Sequence, residues 1–232
     1  MKRVLQFSGG KDSLALLFLM EEEWSDLLVM WCNAGAPHAS TLAMMDYVRE
    51  LVPNFIEVSG DQPAFVREWG YPTDIMPIAT TRIGRLVHGT EGDCFVSAHA
   101  CCMANIWQPM RDACKRLGVT DVYRGQKDSD RRKAPIKDLH VEEGVTYHFP
   151  LQHWTDDDVF AFLADRVPEH YKRGEKSSRD CWDCTAYLDE NVERIKNLTT
   201  MQRTFVQGKL KTLLAVTDKS RADIAACLMG SE

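Results

Sequence analysis

The chain has 232 residues, 44% of them hydrophobic, which is enough to bury the core of one α/β domain with a small addition. Its formal net charge of −6 excludes a globally basic nucleic-acid-binding surface, and no apolar run is long enough to predict a membrane span. The N-terminus lacks the apolar core and cleavage site of a signal peptide, so we expect a cytoplasmic protein whose cysteines stay reduced.

The first half of the chain alternates strand-like and helix-like segments. Short apolar runs at 3–7, 26–32 and 54–58 predict strands, and the segments 12–23 and 40–51 predict helices. This alternation predicts a Rossmann-like α/β fold, with a mostly parallel sheet and helices on both faces. In such folds the ligand lies across the carboxyl ends of the strands.

The second half continues this pattern and then becomes helical. Residues 101–118 predict a helix that ends at a glycine, 120–125 a strand, and 155–166 a helix whose aspartates suit its N-terminus. Residues 168–185 are polar and loop-like. Residues 187–232 are charged and helical.

The opening loop, Ser-Gly-Gly-Lys-Asp-Ser at residues 8–13, lies between the first strand and the first helix. Glycines let consecutive backbone N–H groups turn inward, and the following helix adds the positive end of its dipole. Lys11 adds a full charge, and Ser8 and Ser13 can donate hydroxyl hydrogen bonds. The loop therefore predicts a phosphate-binding nest without the Walker spacing, and a plain glycine turn beside a solvated lysine is the alternative.

Three later segments, with the opening loop, resemble in order the motifs of the adenine-nucleotide α-hydrolase (PP-loop) superfamily. They are residues 33–45, 124–135 and 150–163, and they are most similar to the phosphoadenylyl-sulfate (PAPS)/adenylyl-sulfate reductase family. The resemblance spans about residues 4–188. It implies an adenine-nucleotide-binding domain over residues 1–186 and a helical C-terminal appendage over residues 187–232.

The resemblance also implies a site. Lys11 would stabilise charge on a departing pyrophosphate, Asp12 could help hold Mg²⁺, and Arg131 would be a third catalytic residue. Asn33 stands where the superfamily usually has Asp. A solvated charge run is the alternative for residues 124–135, where Arg124 is a further basic residue. The implied nucleotide-binding residues are Ser8, Gly9, Gly10, Lys11, Asp12, Ser13, Asn33, Gly35, Gly125, Lys127, Arg131 and Arg132.

Four of the eight cysteines form two pairs, Cys101-Cys102 and Cys181-Trp-Asp-Cys184. Two such pairs indicate a metal site. Adjacent cysteines fit poorly around one tetrahedral zinc ion, whereas a cubane cluster offers four separate irons. The arrangement resembles that of adenylyl-sulfate reductases with a [4Fe–4S] cluster, so we expect these four cysteines to hold one. Zinc and buried thiols are the alternatives.

Several other residues have two interpretations. Cys32, Cys94 and Cys114 lie in apolar or helical contexts and are expected to be buried. The basic residues Lys172, Arg173 and Lys176 could lie over the nucleotide or in solvent.

Three functions remain open. The intact opening loop favours ATP pyrophosphatase-type sulfur transfer, with acceptor adenylylation and release of AMP and pyrophosphate. The segment Cys-Trp-Asp-Cys-Thr also resembles the sulfur-activating enzyme of DNA phosphorothioation. The second function is a sulfonucleotide reductase producing sulfite, but Cys227 lacks the family's Glu-Cys-Gly-x-His context. The third is a nucleotide-binding iron–sulfur redox sensor.

The partners follow from these functions. An adenine nucleotide, either ATP or an adenylyl (phospho)sulfate, is expected in each. A sulfur donor or a thioredoxin-like reductant is expected for the two enzymes, and nucleic acid is one candidate acceptor. No membrane partner is expected, and a homo-oligomer is compatible with the sequence.

Overall fold

The computed structural model describes residues 2–89, 91–131, 133–176 and 179–229. The strands are β1 (Arg3–Gln6), β2 (Leu27–Asn33), β3 (Phe55–Ser59), β4 (Tyr71–Thr73), β5 (Phe95–Ser97), β6 (Asp121–Tyr123), β7 (His140–Glu142) and β8 (Val145–His148). The helices are α1 (Lys11–Leu19), α2 (Ala39–Leu51), α3 (Gln62–Trp69), α4 (Arg82–His88), α5 (Ala98–Cys102), α6 (Gln108–Leu117), α7 (Asp156–Leu163), α8 (Glu169–Lys172), α9 (Leu188–Lys196) and α10 (Thr200–Met229).

Six strands form one sheet in the order β3-β2-β1-β6-β8-β7. The pairs from β3 to β8 are parallel, and only β7 runs antiparallel to its neighbour β8. Strand β1 therefore lies inside the sheet, next to the point where the strand order reverses. The carboxyl ends of β1, β2 and β6 meet at one edge, where ligands bind in folds of this kind.

Apolar side chains alternate between the two faces of the sheet, as the pleat of a strand requires. Leu5 and Phe7 pack with α1, α2 and α7 on one face. Val4 and Val122 pack with α6 on the other face. The predicted mostly parallel sheet covered by helices on both faces is confirmed.

The structure differs from the predicted elements mainly in residues 60–97. The sequence shows weak periodicity there, yet the chain forms α3, α4 and a separate parallel pair, β4 with β5. Proline and short strands of three residues leave too few alternating positions to reveal this pair in the sequence. The predicted helix at 12–23 ends at Leu19, and a 3₁₀ turn follows at Glu21–Glu23.

The predicted helix at 101–118 is continuous but not regular. Helix α5 carries both adjacent cysteines, a π-helical turn follows at Met103–Trp107, and α6 ends at Gly118 in the left-handed conformation. Single π turns are frequent at functional sites because they displace one residue from the helical register.

The C-terminal helices α9 and α10 pack onto the second cysteine pair. Ile195, Leu198 and Val206 form a small apolar cluster with the ring of Trp182, which lies between Cys181 and Cys184. Although α10 has 30 residues, neither it nor any other described helix is apolar enough over a sufficient length to cross a membrane. The segment that the sequence marks as an appendage thus contacts the cysteine loop directly.

Helix α7 starts with a capping box. The hydroxyl of Thr155 accepts a hydrogen bond from the backbone N–H of Asp158, and the Asp158 carboxylate accepts one from the Thr155 N–H. We predict that Thr155→Ala lowers the free energy of unfolding by about 1 kcal/mol, because this cap orders the first turn of α7. Urea unfolding followed by circular dichroism measures the change.

The matched control is Thr212→Ala, which removes the same atoms from the interior of α10. It should change the free energy of unfolding by a few tenths of a kcal/mol at most. Equal effects of the two substitutions would contradict the role assigned to the cap.

Candidate functional site

The loop after β1 forms a polar nest. Gly9 has a left-handed backbone with φ of +76°, and a Cβ there would lie 2.9 Å from Met45. The Oγ atoms of Ser8 and Ser13 are 3.2 Å apart, and the Gly10 N–H donates to Ser8 Oγ over 3.3 Å. The first-turn N–H groups of α1 have no acceptor within the helix. Together these N–H and hydroxyl groups can bind an anion at the carboxyl end of β1.

The side chain of Lys11 is buried and lies among aromatic and acidic groups. Its Nζ is 2.7 Å from Asp156 Oδ1 and 2.9 Å from Asp12 Oδ1. It also lies 5.6 Å from the ring centre of Phe160 and 5.9 Å from that of Tyr171. The Lys11 backbone N–H donates to the Tyr171 hydroxyl. Lys11 therefore joins the loop after β1 to α7 and α8.

A second buried lysine joins the same group. Lys127, only 1% exposed, follows β6 and places its Nζ 2.6 Å from Asp12, 2.9 Å from Asp130 and 3.3 Å from Asp156. Burial alone would lower the pKa of Lys127, but hydrogen bonds and charge from Asp12 and Asp130 outweigh it and raise the pKa. We name Lys11, Lys127, Asp12, Asp130 and Asp156 the ion cluster.

Gly125 brings the loop after β6 against the start of α1. A Cβ at Gly125 would lie 2.7 Å from the backbone carbonyl carbon of Asp12 and 2.9 Å from the nitrogen of Ser13. No side chain fits in this space, so the backbone of the loop after β6 is in direct contact with the backbone of the first turn of α1.

The loop after β2 is shaped by Asn33 and Gly35. The Asn33 side-chain oxygen accepts from the Gly35 N–H over 3.0 Å, while its amide nitrogen donates to Glu57 over 2.9 Å. Gly35 has φ of +101°. An aspartate at position 33 could accept from Gly35 but could not donate to Glu57, which accounts physically for the asparagine.

The other basic residues of the 124–135 segment lie apart. Arg124 donates to Gln6 over 2.6 Å and lies over the ring of Tyr147, so its guanidinium is engaged within the sheet. Arg131 is 72% exposed and pairs with Asp189 of α9 over 2.9 Å. Arg132 lies outside the described residues.

The basic residues before the second cysteine pair lie in solvent. Lys172, Arg173 and Lys176 are exposed, and Lys172 pairs with Glu169 over 2.6 Å. Arg179, which sequence reasoning did not single out, is more buried and forms an ion pair with the buried Glu175. The cation beside the cysteine loop is thus a different residue from those predicted.

All four paired cysteines line one small cavity. The sequence brings two of them from α5 and two from the loop before α9. Apolar residues complete the wall, together with Gln62, Asn105 and Tyr187. The lining residues are Ala34, Gln62, Pro72, Cys101, Cys102, Asn105, Ile106, Cys181, Cys184 and Tyr187. Cysteines far apart in sequence therefore line the same cavity.

The thiols of this cavity are strongly desolvated. Burial raises the pKa of Cys101 to about 12 and that of Cys184 to about 11, and it raises the pKa of Cys102 and Cys181 as well. Without a bound cation these thiols are neutral at pH 7. Among the described residues, no three His, Cys, Asp or Glu side chains are arranged to hold one metal ion as they stand.

Asn105, in the π-helical turn, connects the first cysteine pair to the sheet edge. Its side-chain nitrogen donates to the Cys101 carbonyl over 2.9 Å, and its side-chain oxygen accepts from the Asp61 N–H. Its own carbonyl would lie 2.1 Å from a Cβ at Gly60. The π turn thus places Asn105 where a side chain after β3 would otherwise lie.

The second cysteine pair also folds against the sheet edge. The Trp182 N–H donates to the carbonyl of Ala36 over 3.0 Å, and Thr41 donates to the carbonyl of Arg179 over 2.8 Å. Gln62 donates to the carboxylate of Asp183. The cysteine cavity is thus lined by Ala34 of the loop after β2, and the nest adjoins the first turns of the helix that follows this loop.

A larger cavity of about 330 Å³ lies beside the cysteines. Tyr187 lines both cavities, and its hydroxyl lies 3.5 Å from Cys102 Sγ. The larger cavity is lined by Thr73, Asp74, Ser97, Ala98, His99, Tyr187 and Asp189. Since Asp189 pairs with Arg131, this cavity also borders the basic loop after β6.

Cys32, Cys94 and Cys114 are not among the residues that line the cavity. Cys32 and Cys114 are buried in the core and Cys94 is half-buried, so the expectation of burial holds fully for the first two. Cys227 lies on α10, and its side chain is outside the described residues.

Sequence reasoning missed the residues that connect the parts of the site. The sequence marks Asp156 only as an N-terminal charge of α7, although three consecutive aspartates exceed what a cap needs. Tyr171 and Arg194 carry no motif. Their roles arise from contacts between segments far apart in sequence.

Comparison with known proteins agrees with this geometry. The model of the phosphoadenosine phosphosulfate reductase domain matches residues 2–171. The fold resembles PAPS reductase from Candida auris in its phosphate complex, with 16% identity, coverage of 78% of this chain and 81% of that chain, and a TM-score of 0.50. Yeast FAD synthetase in complex with FAD aligns with 12% identity over 70% of this chain and 50% of that chain, with a TM-score of 0.40. No curated protein matches the sequence at a significant level.

The contact at Gly125 generates a prediction. Gly125→Ala should lower the free energy of unfolding by about 1–3 kcal/mol, because the new methyl group forces two backbone segments apart. Urea unfolding monitored by circular dichroism tests this.

Gly208→Ala is the control, because a Cβ at this helical position meets nothing within 4 Å. It should stabilise the protein by about 0.5–1 kcal/mol through the helix propensity of alanine. If Gly125→Ala is as stable as wild type, the two loops are not in the contact described.

Proposed function

The chain belongs to the phosphoadenosine phosphosulfate reductase domain family, and from this premise we propose that it is an ATP-dependent sulfur transferase. In this proposal ATP is cleaved between its α and β phosphates, an acceptor is adenylylated, and pyrophosphate and AMP are released. The observation that carries the proposal is the complete nest of residues 8–13, on the same sheet edge as the cysteine cavity.

The nest supports a pyrophosphate leaving group. It offers backbone N–H groups, the hydroxyls of Ser8 and Ser13 and the positive end of α1. The nearby ion cluster holds two ammonium groups, Lys11 and Lys127, with three carboxylates. The phosphates of an incoming nucleotide would replace the Asp156 carboxylate beside the two ammonium groups. Asp156 is the most exposed of the three carboxylates, with 60% of its side chain exposed. Lys11 then stabilises the charge that develops on the leaving oxygen.

The reaction has two displacements. An acceptor carbonyl oxygen attacks the α-phosphorus, the bond to the bridging oxygen breaks, and pyrophosphate leaves with the bonding electrons. A sulfur nucleophile then attacks the acceptor carbon, and AMP leaves with the activated oxygen. The cavity beside Tyr187 supports an acceptor held between Arg131 and the cysteines.

Asp12 does not fit the role of a magnesium ligand. Its Oδ1 contacts both ammonium groups of the ion cluster, and its Oδ2 contacts Lys11 over 3.1 Å. A Mg²⁺ ion at this carboxylate would have to displace an ammonium group. We therefore assign Asp12 to the positioning of Lys11 and Lys127.

The four cysteines fit a [4Fe–4S] cluster. Four thiols line one cavity with apolar walls, and thiolates are the ligands of such clusters. Adjacent cysteines fit poorly around one tetrahedral zinc ion, whereas a cubane cluster offers each cysteine a separate iron. When bound, the cluster would keep the four sulfurs as thiolates and supply a redox-active or sulfur-binding centre. This chain contributes Cys101, Cys102, Cys181 and Cys184 as its ligands.

A sulfonucleotide reductase is the second candidate, favoured by the family match over residues 2–171. That reaction needs a thiolate that attacks the sulfur of adenylyl sulfate or phosphoadenylyl sulfate. Cys227 is the available C-terminal cysteine, and its Ala-Ala-Cys-Leu context offers no charged neighbour in the adjacent sequence to lower its pKa.

We predict that the anaerobic protein converts α-labelled ATP to AMP and pyrophosphate when an acceptor and a sulfur donor are both present. Lys11→Met should lower kcat by 10²-fold or more, because the leaving charge loses a preorganised cation. Thin-layer separation of labelled products measures the rate.

Lys172→Met is the matched control, since Lys172 is exposed and should leave the rate unchanged. Release of sulfite from adenylyl sulfate with thioredoxin, abolished in Cys227→Ala, would replace this proposal by the reductase. Inactivity in both assays would favour a nucleotide-binding redox sensor.

We also predict that the protein purified without oxygen is brown and holds iron and acid-labile sulfide in equal amounts. Cys181→Ser should lose most of the iron, because one thiolate ligand is removed. Cys114→Ala, at a buried cysteine of α6, should retain it. A colourless protein with stoichiometric zinc would refute the cluster.

A further inference from the structure

Arg194, on α9, is a buried cation beside the second cysteine pair. Only 2% of it is exposed. Its Nη2 donates to the carbonyl of Cys184 over 2.7 Å, and its Nη1 donates to the carbonyls of Trp182 over 2.9 Å and Cys181 over 3.4 Å. Its Nε donates to the side chain of Asn191. The guanidinium thus binds three carbonyls of the four-residue loop that holds two cysteines.

This guanidinium has oxygen dipoles as partners rather than a carboxylate. Within the described part of the chain, its hydrogen-bond acceptors are all amide oxygens. The buried Glu175 nearby is already paired with Arg179, and Asn197 donates to the same carboxylate. A buried charge without an opposite charge is costly, because dipoles replace only part of its hydration.

The charges that would compensate Arg194 are those of the cysteines. Arg194 donates to the backbone carbonyls of both Cys181 and Cys184, so the cation lies beside both members of the second pair. Neutral thiols cannot supply this charge, whereas metal-bound cysteines are thiolates.

We propose that Arg194 is the counter-charge of an anionic metal–thiolate centre formed by the four paired cysteines, and that it positions the second pair for binding. The inference rests on the metal site proposed above, and it adds that the centre is net negative. In an oxidised cubane cluster, four thiolates exceed the charge of the iron–sulfide core by two. A reduced centre would carry a further negative charge, which the Arg194 guanidinium would stabilise through the protein interior.

The test compares full-length wild type with Arg194→Gln and Arg194→Lys after anaerobic reconstitution with iron and sulfide. Lys196→Gln is the control, since it removes a positive charge from an exposed position of the same helix. Three quantities are measured: the midpoint potential, the rate of metal loss to a chelator, and the thermal midpoint of the loaded and metal-free protein.

Arg194→Gln should shift the midpoint potential to more negative values and speed metal loss roughly 10- to 100-fold. Arg194→Lys retains the charge without the planar fork, so its potential should stay near that of wild type while metal loss accelerates. Both variants should destabilise the loaded protein more than the metal-free protein. The control should match wild type in all three measurements.

Other results overturn the inference. An unchanged potential and loss rate in Arg194→Gln would show that its charge is not coupled to the centre, while the cluster proposal stands. If the Arg194 variants destabilise the loaded and the metal-free protein equally, Arg194 only stabilises the conformation of the loop. If Arg194→Gln does not fold, the rate of metal loss from Arg194→Lys decides the test. A rate equal to that of wild type would then overturn the inference. A wild-type protein that binds only zinc refutes the cluster but still tests Arg194 through zinc loss, and one that binds no metal refutes both.

Discussion

The burial of the Lys127 ammonium group is the interaction on which the nucleotide end of the site depends. A charge removed from water must meet opposite charges within a few ångströms, and Lys127 meets Asp12, Asp130 and Asp156. These carboxylates come from α1, the loop after β6 and the first turn of α7. One ammonium group thereby holds three segments together, and Gly125 permits the close backbone approach that the arrangement needs.

The same edge of the sheet fixes the cysteine end. Ala36, in the loop after β2, accepts from the backbone N–H of Trp182. Thr41, in the first turn of α2, donates to the carbonyl of Arg179 and lies beside Gly9 of the nest. Helices α9 and α10 pack on Trp182 and thereby cover the Cys181–Cys184 loop. The C-terminal segment is therefore part of what positions the second cysteine pair, and a truncation before α9 would remove Arg194 as well as apolar contacts.

The family, the fold class and the central elements could be predicted from sequence, because they depend on local patterns. The segment 3–19 shows two apolar runs on either side of a glycine loop, and α7 shows a cap signal. The strands β4 and β5 lie in a stretch with prolines and weak periodicity, which hid them in the sequence. The partners of Lys11 and Lys127 were equally hidden, since ion pairs across distant segments leave no periodic trace in the sequence. Of the two interpretations left open for Lys172, Arg173 and Lys176, the structure shows these residues exposed, while Arg194, which no motif marks, is buried.

The buried cations at the two ends of the site have different partners. At the nucleotide end, two ammonium groups face three carboxylates, so positive charge is already compensated and an incoming phosphate must exchange with a carboxylate. At the cysteine end, Arg194 is hydrogen-bonded to carbonyl dipoles, and in the proposal its positive charge is fully compensated only when the cysteines are thiolates. In the proposed function, phosphate binding would be an exchange between anions, which would make it sensitive to the charge of the nucleotide. Metal binding, as proposed, would convert neutral thiols to anions beside a fixed cation. The two proposals together describe a protein in which nucleotides turn over at one end while the other end stays assembled.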